Sequence, residues 1–284
     1  MGLVAVVALL ALGLLFGERV LERGRALVGA RPAPRPVASD ARADPATPPA
    51  PRPDEPSTAS GRVAIVIDDL GRELEVVRLL VELDSRLTFA VLPFEPRTTE
   101  IATLLADRGA EILLHLPMEP EGEADAGPGA LSAEMTATEI AAATRQALAA
   151  VPGAVGVNNH MGSALTSDRG AMRSVLAVLG ERRLYFLDSR TSTESVGYDL
   201  AREAGVPAAR RDLFLDESDD RAAIASAIDR LVDLALRRGA AIGIAHPRPE
   251  TIAALAERLP RLRDQGVELV PVSFLAERGE ELPE

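Results

Sequence analysis

From Arg62 onward the chain repeats one texture: a short apolar run, then a longer segment in which apolar residues recur every three or four positions. The runs RVAIVI, LTFAVL, AEILLHL, AVGVN, LYFLD, AAIGIAH and VELVPVSF have the length and residue types of strands buried on both faces. Segments between them, such as TTEIATLLADRG and TATEIAAATRQALAAV, carry the spacing of amphipathic helices. Thr98 and Thr138 stand where helix N-caps are wanted, and Gly109 and Gly239 where helices should stop. Such alternation implies βα units and parallel strands, which places the chain in the α/β class. Seven or eight units fit between Arg62 and Ala276, enough to close a β/α barrel; an open doubly wound sheet is the alternative.

The first 61 residues lack this texture. Leu3 to Phe16, LVAVVALLALGLLF, is an uncharged apolar run, short for a spanning helix and suited to a signal-peptide core. Residues 1–29 are therefore expected to be an export signal or an uncleaved membrane anchor, which would place the remainder in the periplasm or otherwise outside the cytoplasm. No Arg precedes the run and several follow it, which opposes the positive-inside preference for that orientation. Residues 30–61 are dense in Pro, Ala, Asp, Ser and Thr; prolines at this density withhold backbone donors, so a disordered tether is expected. Residues 277–284 form a short C-terminal tail after the expected barrel of 62–276.

The net charge is −12, every cation is Arg, and aromatic residues make up 3% of the chain, so it has neither the basic surface nor the stacking rings of a nucleic-acid binder. The same negative balance makes a strongly anionic polymer an uncomfortable partner. There is no Cys, which removes disulfides, thiolate metal sites and Cys nucleophiles together.

In a barrel and in an open sheet alike, ligands sit at the C-terminal ends of the strands. Asp68 and Asp69 end the first run, His115 the third, Asn158, Asn159 and His160 the fourth, Asp188 the fifth and His246 the sixth. Taken singly, a strand-end His is more often a hydrogen-bonded structural residue, and an Asp pair before a helix is more often an N-cap. Here all three histidines of the chain fall on one rim with the double Asp. Imidazole and carboxylate are the ligands of a catalytic zinc-like ion, which keeps one position open for water. One aspartate would face such an ion while the other accepts a proton from the water.

The stretches VAIVIDDLG, TFAVLP, HLPMEP, NNHMGS, LDSRT and IGIAHP, in this order and spacing, resemble the divergent polysaccharide deacetylase family, a branch of the NodB-like deacetylase superfamily. The resemblance covers essentially Arg62 to Ala276. It implies a distorted β/α barrel and metal-dependent removal of acetyl groups from N-acetylated sugars, here of an envelope polysaccharide, with zinc as the expected ion. By the superfamily pattern Asp68 would be the base, Asp69 a metal ligand and His246 the general acid.

Two departures shape the expected site. HLPMEP keeps His115 but places Glu119 where the superfamily has a second metal-binding His, so the third ligand is His160 or Glu119 itself. NNHMGS replaces the motif carrying the arginine that orients the base, and Arg190 in LDSRT is a candidate substitute. Asp188 is expected to pair with His246 and raise its pKa. Asn158 and Asn159 would contact substrate or close a turn, and backbone N–H groups at Met161 and Gly162 would hold the oxyanion. The altered motifs leave another reading open: a catalytically weak or inactive barrel serving as a membrane-tethered module that binds glycan or protein. A hydrolase of another amide or ester is a third, since substrate choice resides in loops such as Glu119 to Met135.

Overall fold

The computed structural model describes residues 59–276. The expected signal or anchor, the Pro-rich tether up to residue 58 and the tail from 277 lie outside these residues; the last residue assigned to the tether, Gly61, instead opens the first strand, and among the described residues no helix is long and apolar enough to cross a membrane.

Nine strands form one wholly parallel sheet: β1 (Gly61–Leu70), β2 (Thr88–Val91), β3 (Glu111–Met118), β4 (Gly156–Met161), β5 (Tyr185–Asp188), β6 (Ala208–Arg210), β7 (Leu213–Phe214), β8 (Ala240–Ala245) and β9 (Val267–Leu269). Their order is β6-β5-β4-β3-β2-β1-β8-β7, with β9 paired to the start of β1. The helices are α1 (Leu74–Leu83), α2 (Thr98–Asp107), α3 (Ala137–Ala150), α4 (Arg169–Arg182), α5 (Gly197–Glu203), α6 (Arg221–Arg238) and α7 (Pro249–Arg258).

Two residues separate β6 from β7, and at this link the chain changes partners. Arg211 N donates to Asp188 O beside β5, and Asp212 N donates to Ile242 O of β8. One extended segment thus joins both edges of the sheet and curls it into a distorted barrel. The first long apolar run is its central stave: β1 pairs with β2, β8 and β9, and its residues from Val63 to Ile67 are fully buried.

Both strand faces are apolar because each meets a different core. Val63, Ile65 and Ile67 join Phe89, Leu114, Leu116 and Phe186 in the layer under the helices. The alternate residues Ala64 and Val66 join Leu113, Tyr185, Leu187, Ile242 and Ile244 in a smaller cluster inside the barrel. Val272 belongs to this inner cluster, and its N–H donates to Thr88 Oγ1, so the last segment of the domain plugs the N-terminal end. The opposite, C-terminal end stays polar.

Local signals set the helix ends, with two differences from expectation. Thr98 is the first residue of α2 rather than its cap, and its hydroxyl bridges Glu95 N and Leu92 O. The cap of α3 is Thr136, two residues before Thr138, because Glu139 completes a capping box with it: Glu139 N donates to Thr136 Oγ1, and Thr136 N to Glu139 Oε2. Thr136→Ala is expected to lower stability by about 1 kcal/mol, a shift of roughly 2–4 °C in Tm, whereas the exposed Thr138→Ala should leave the melting curve in place. Equal shifts for the two variants would show that the box contributes nothing. Gly109 and Gly239, at φ of 66° and 85°, follow α2 and α6 as left-handed terminators.

Candidate metal centre and catalytic cleft

Two adjacent strand residues normally point to opposite faces, so Asp68 and Asp69 need a device to share one. That device is a bulge. In the β1–β2 register Ile67 pairs with Phe89 and Leu70 with Val91, so the two aspartates stand opposite Ala90 alone. Asp68 continues the inward parity of Ala64 and Val66 and is 3% exposed. Asp69 adopts φ 59°, a strained value for a residue with a side chain, and its carboxylate turns toward the same end of the barrel.

His115 has the inward parity of Leu113 on β3, and His160 lies near the end of β4, beside it. Asp69 Oδ1 lies 3.1 Å from His115 Nε2 and 3.0 Å from His160 Nδ1, and the two ring nitrogens are 3.1 Å apart. These separations match the edges of a tetrahedron of zinc ligands, about 3.3 Å for bonds of roughly 2.0–2.1 Å.

The tautomer of His115 supports the same fit. Asn158 Nδ2 donates to Asp68 Oδ1 at 2.9 Å, which leaves Asn158 Oδ1 to accept from His115 Nδ1 at 2.9 Å. When neutral, His115 therefore presents a lone pair on Nε2 to a carboxylate oxygen 3.1 Å away, an arrangement that a proton or a metal cation between the two acceptors satisfies. Burial disfavours charge on His115, yet the charge of Asp68 and the hydrogen bond and charge of Asp69 hold its pKa above the ordinary value. Asp69 is also buried, but hydrogen bonds from His115 and His160 keep its carboxyl far below the usual range. In Asp68 burial wins, raising its pKa against the pull of His115, His246 and Asn158.

Across the cleft His246 follows β8 on the parity of Ile242 and Ile244, with Nε2 at 3.9 Å from Asp69 Oδ2. Its Nδ1 is held by Asp216 Oδ1 at 3.0 Å; the other oxygen of Asp216 accepts from His246 N at 2.7 Å and Thr251 Oγ1 at 2.9 Å. Burial opposes protonation of His246, but the hydrogen bond and charge of Asp216, with the charges of Asp68 and Asp69, raise its pKa.

Several expected roles change hands. Asp188 does not meet His246. Tyr185 and Leu187 face the barrel interior, so Asp188 faces outward, where it accepts from Arg190 N, Ser195 Oγ and Tyr198 N and anchors the start of α5. Asp216 does the task expected of it. Arg190 does not orient Asp68: a turn at φ 49° carries it past the strand end to an exposed position, and Asn158 holds the Asp68 carboxylate instead.

Asn158 and Asn159 are not substrate contacts, being 0% and 1% exposed. Asn158 ties Asp68 to His115, while Asn159 accepts from Ser189 N and donates to Met161 O. Met161 and Gly162, at φ 52° and 85°, form the turn after β4. Glu119 is withdrawn from the donor cluster; its Oε2 accepts from Ala133 N at 2.7 Å, and its backbone O from Ala164 N and Leu165 N. That contact pins the loop, so Asp69, His115 and His160 form the donor group.

Asp216, Ser189, Thr251 and Arg211 are site neighbours that the strand-end reading missed. The signal for Asp216 was present: the three residues FLD occur at 186–188 and again at 214–216.

The chain matches the divergent polysaccharide deacetylase family over residues 65–276. It is 39% identical over 203 residues to the uncharacterized protein YibQ of Escherichia coli (strain K12), a match covering 72% of this chain and 64% of that relative, somewhat under two thirds of its length. An uncharacterized protein of Haemophilus influenzae is 34% identical over 227 residues, covering 80% of this chain and 81% of the other. The crystal structure of an uncharacterized protein from Agrobacterium tumefaciens C58 superposes with a TM-score of 0.75 at 29% identity, covering 79% of this chain and 92% of that one. With its family motifs placed on one barrel rim, the chain belongs to the divergent polysaccharide deacetylase family.

Proposed function

We propose that the protein is a metal-dependent hydrolase that removes acetyl groups from N-acetylated sugars of an envelope polysaccharide. The observation that carries this reading is the three-donor cluster of Asp69, His115 and His160, flanked by a buried carboxylate, Asp68, and by a His246–Asp216 pair. A divalent ion there, zinc by its donor set, would supply Lewis acidity to a water and to the amide carbonyl. Asp68, raised in pKa by burial and aimed by Asn158, takes the proton of the attacking water. His246 has Nδ1 committed to Asp216, so Nε2 is the nitrogen turned to the cleft, and its proton goes to the departing amine as the C–N bond breaks. The envelope location is supported by the apolar run Leu3 to Phe16.

The test is acetate release from N-acetylglucosamine oligomers by the full chain with zinc or cobalt. Asp68→Asn should lower turnover by roughly 10²–10⁴-fold while the ion stays bound. Full turnover in that variant would rule out Asp68 as the base. A metal-loaded wild type that releases no acetate would leave the barrel as a tethered binding module.

A further inference from the structure

Resting on the deacetylase reading, we propose that the cleft takes a glycan bearing an anionic group, a carboxylate or a phosphate, on or beside the N-acetylated sugar, held between the guanidiniums of Arg190 and Arg211. Arg211 lies in the link between β6 and β7. Its Nε donates to Ser189 O at 2.6 Å and its Nη2 to Arg190 O at 2.8 Å. The guanidinium lies 3.7 Å over the centre of the Phe214 ring, and that ring stacks on His246 with centroids 6.2 Å apart and planes at 24°. A half-buried cation thus stands one aromatic ring away from the imidazole that faces Asp69.

Its bonded partners are neutral carbonyls, which fix its position without cancelling its charge. Among the described residues the ion pairs within 4.0 Å involve neither Arg211 nor Arg190. Two other arginines of this rim are neutralised, Arg72 gripping Glu95 through two bonds of 2.7 and 2.8 Å and Arg248 reaching Asp219 at 2.9 Å, while Arg210 at the end of β6 stacks on Tyr198 at 5.3 Å. Arg211 feels Glu217, Asp188 and Asp68 at longer range; burial first, and the Arg190 charge second, still weaken its hold on its proton. Arg190, exposed on its positive-φ turn, adds a second cation beside it. The Arg190 charge opposes that of Arg211, whose Nη2 is bonded to the Arg190 backbone, and an anion shared by the two would relieve that repulsion and use the guanidinium donors left over from the backbone. This local field runs against the overall charge of −12, which on its own disfavours an anionic partner.

The experiment measures binding to the full chain by calorimetry, using three N-acetylglucosamine tetramers of equal length: one neutral, one oxidised to carboxylates at C6, one phosphorylated at C6. At least one anionic tetramer should bind tenfold or more tightly than the neutral one. The preference should shrink with added salt and fall to near unity in Arg190→Gln, a surface change whose fold is checked by its melting curve. Preference for the carboxylate or for the phosphate form would identify the group. Equal binding of all three tetramers by the wild type, or a preference that survives in Arg190→Gln, would overturn the subsite. Acetate release is followed separately. Release from the neutral tetramer without any preference would leave the deacetylase standing and the subsite refuted. An Arg190-dependent preference without acetate release would do the reverse.

Discussion

His160→Ala is expected to abolish stoichiometric zinc uptake under conditions where the wild-type chain saturates, measured by titration against a chelating dye. The reason is the donor count. Among the described residues Asp69, His115 and His160 are the three whose ligand atoms converge, so removing one leaves two. Asn158→Ala should weaken binding by a smaller factor, about 10–100-fold, because Asn158 only fixes the tautomer and ring plane of His115 through the Nδ1 bond of 2.9 Å. Glu119→Ala should leave affinity unchanged, since that carboxylate is spent on Ala133 N. The melting curve of each metal-free variant separates ligand loss from unfolding. Retained zinc in His160→Ala together with loss in Glu119→Ala would reverse the assignment and require the loop of Glu119 to rearrange around the ion.

The barrel was legible because its strands are buried on both faces and therefore read as unbroken apolar runs, while its helices keep a polar side. The same property hid the parity of those strands. In LYFLD nothing distinguishes the residues that fill the barrel from those that meet the helices, so Asp188 could be placed at a strand end but not on a face. The structure turns it outward, toward α5. Strands β6 and β7, of three and two residues, are too short to carry any period, and with them went Arg211 and Asp216. The double Asp illustrates the converse case. Its residue types point to chemistry, but only the bulge and the positive φ of Asp69 explain how neighbouring carboxylates come to share a face. Asn158 was visible as a polar residue at a rim; its role depends on which two side chains lie 2.9 Å from its amide, which no local pattern encodes.

Asp216→Asn is the second change expected to have a large effect, and its signature is in the pH profile. As the proposed general acid, His246 would have to be protonated to donate to the leaving amine, so activity should fall as pH rises through its pKa. Burial alone would lower that pKa; the bond and charge of Asp216, helped by Asp68 and Asp69, carry it above the ordinary value instead. Replacing the carboxylate by an amide removes the charge opposing burial while keeping a group of the same shape beside His246 N and Thr251 Oγ1. The basic limb of kcat should then move to lower pH by about 1–2 units, with turnover above neutrality reduced by about tenfold or more. A role limited to packing would lower the rate by one factor at every pH. The linkage has the same sign in stability: a histidine whose pKa is raised by folding stabilises the native state fully below its unfolded value and loses that contribution as pH climbs through the folded one. The wild-type chain should therefore lose more stability than Asp216→Asn between about pH 6.5 and the folded pKa of His246, as read by denaturant midpoints across that range. Parallel curves for the two proteins would mean that Asp216 does not set the charge of His246.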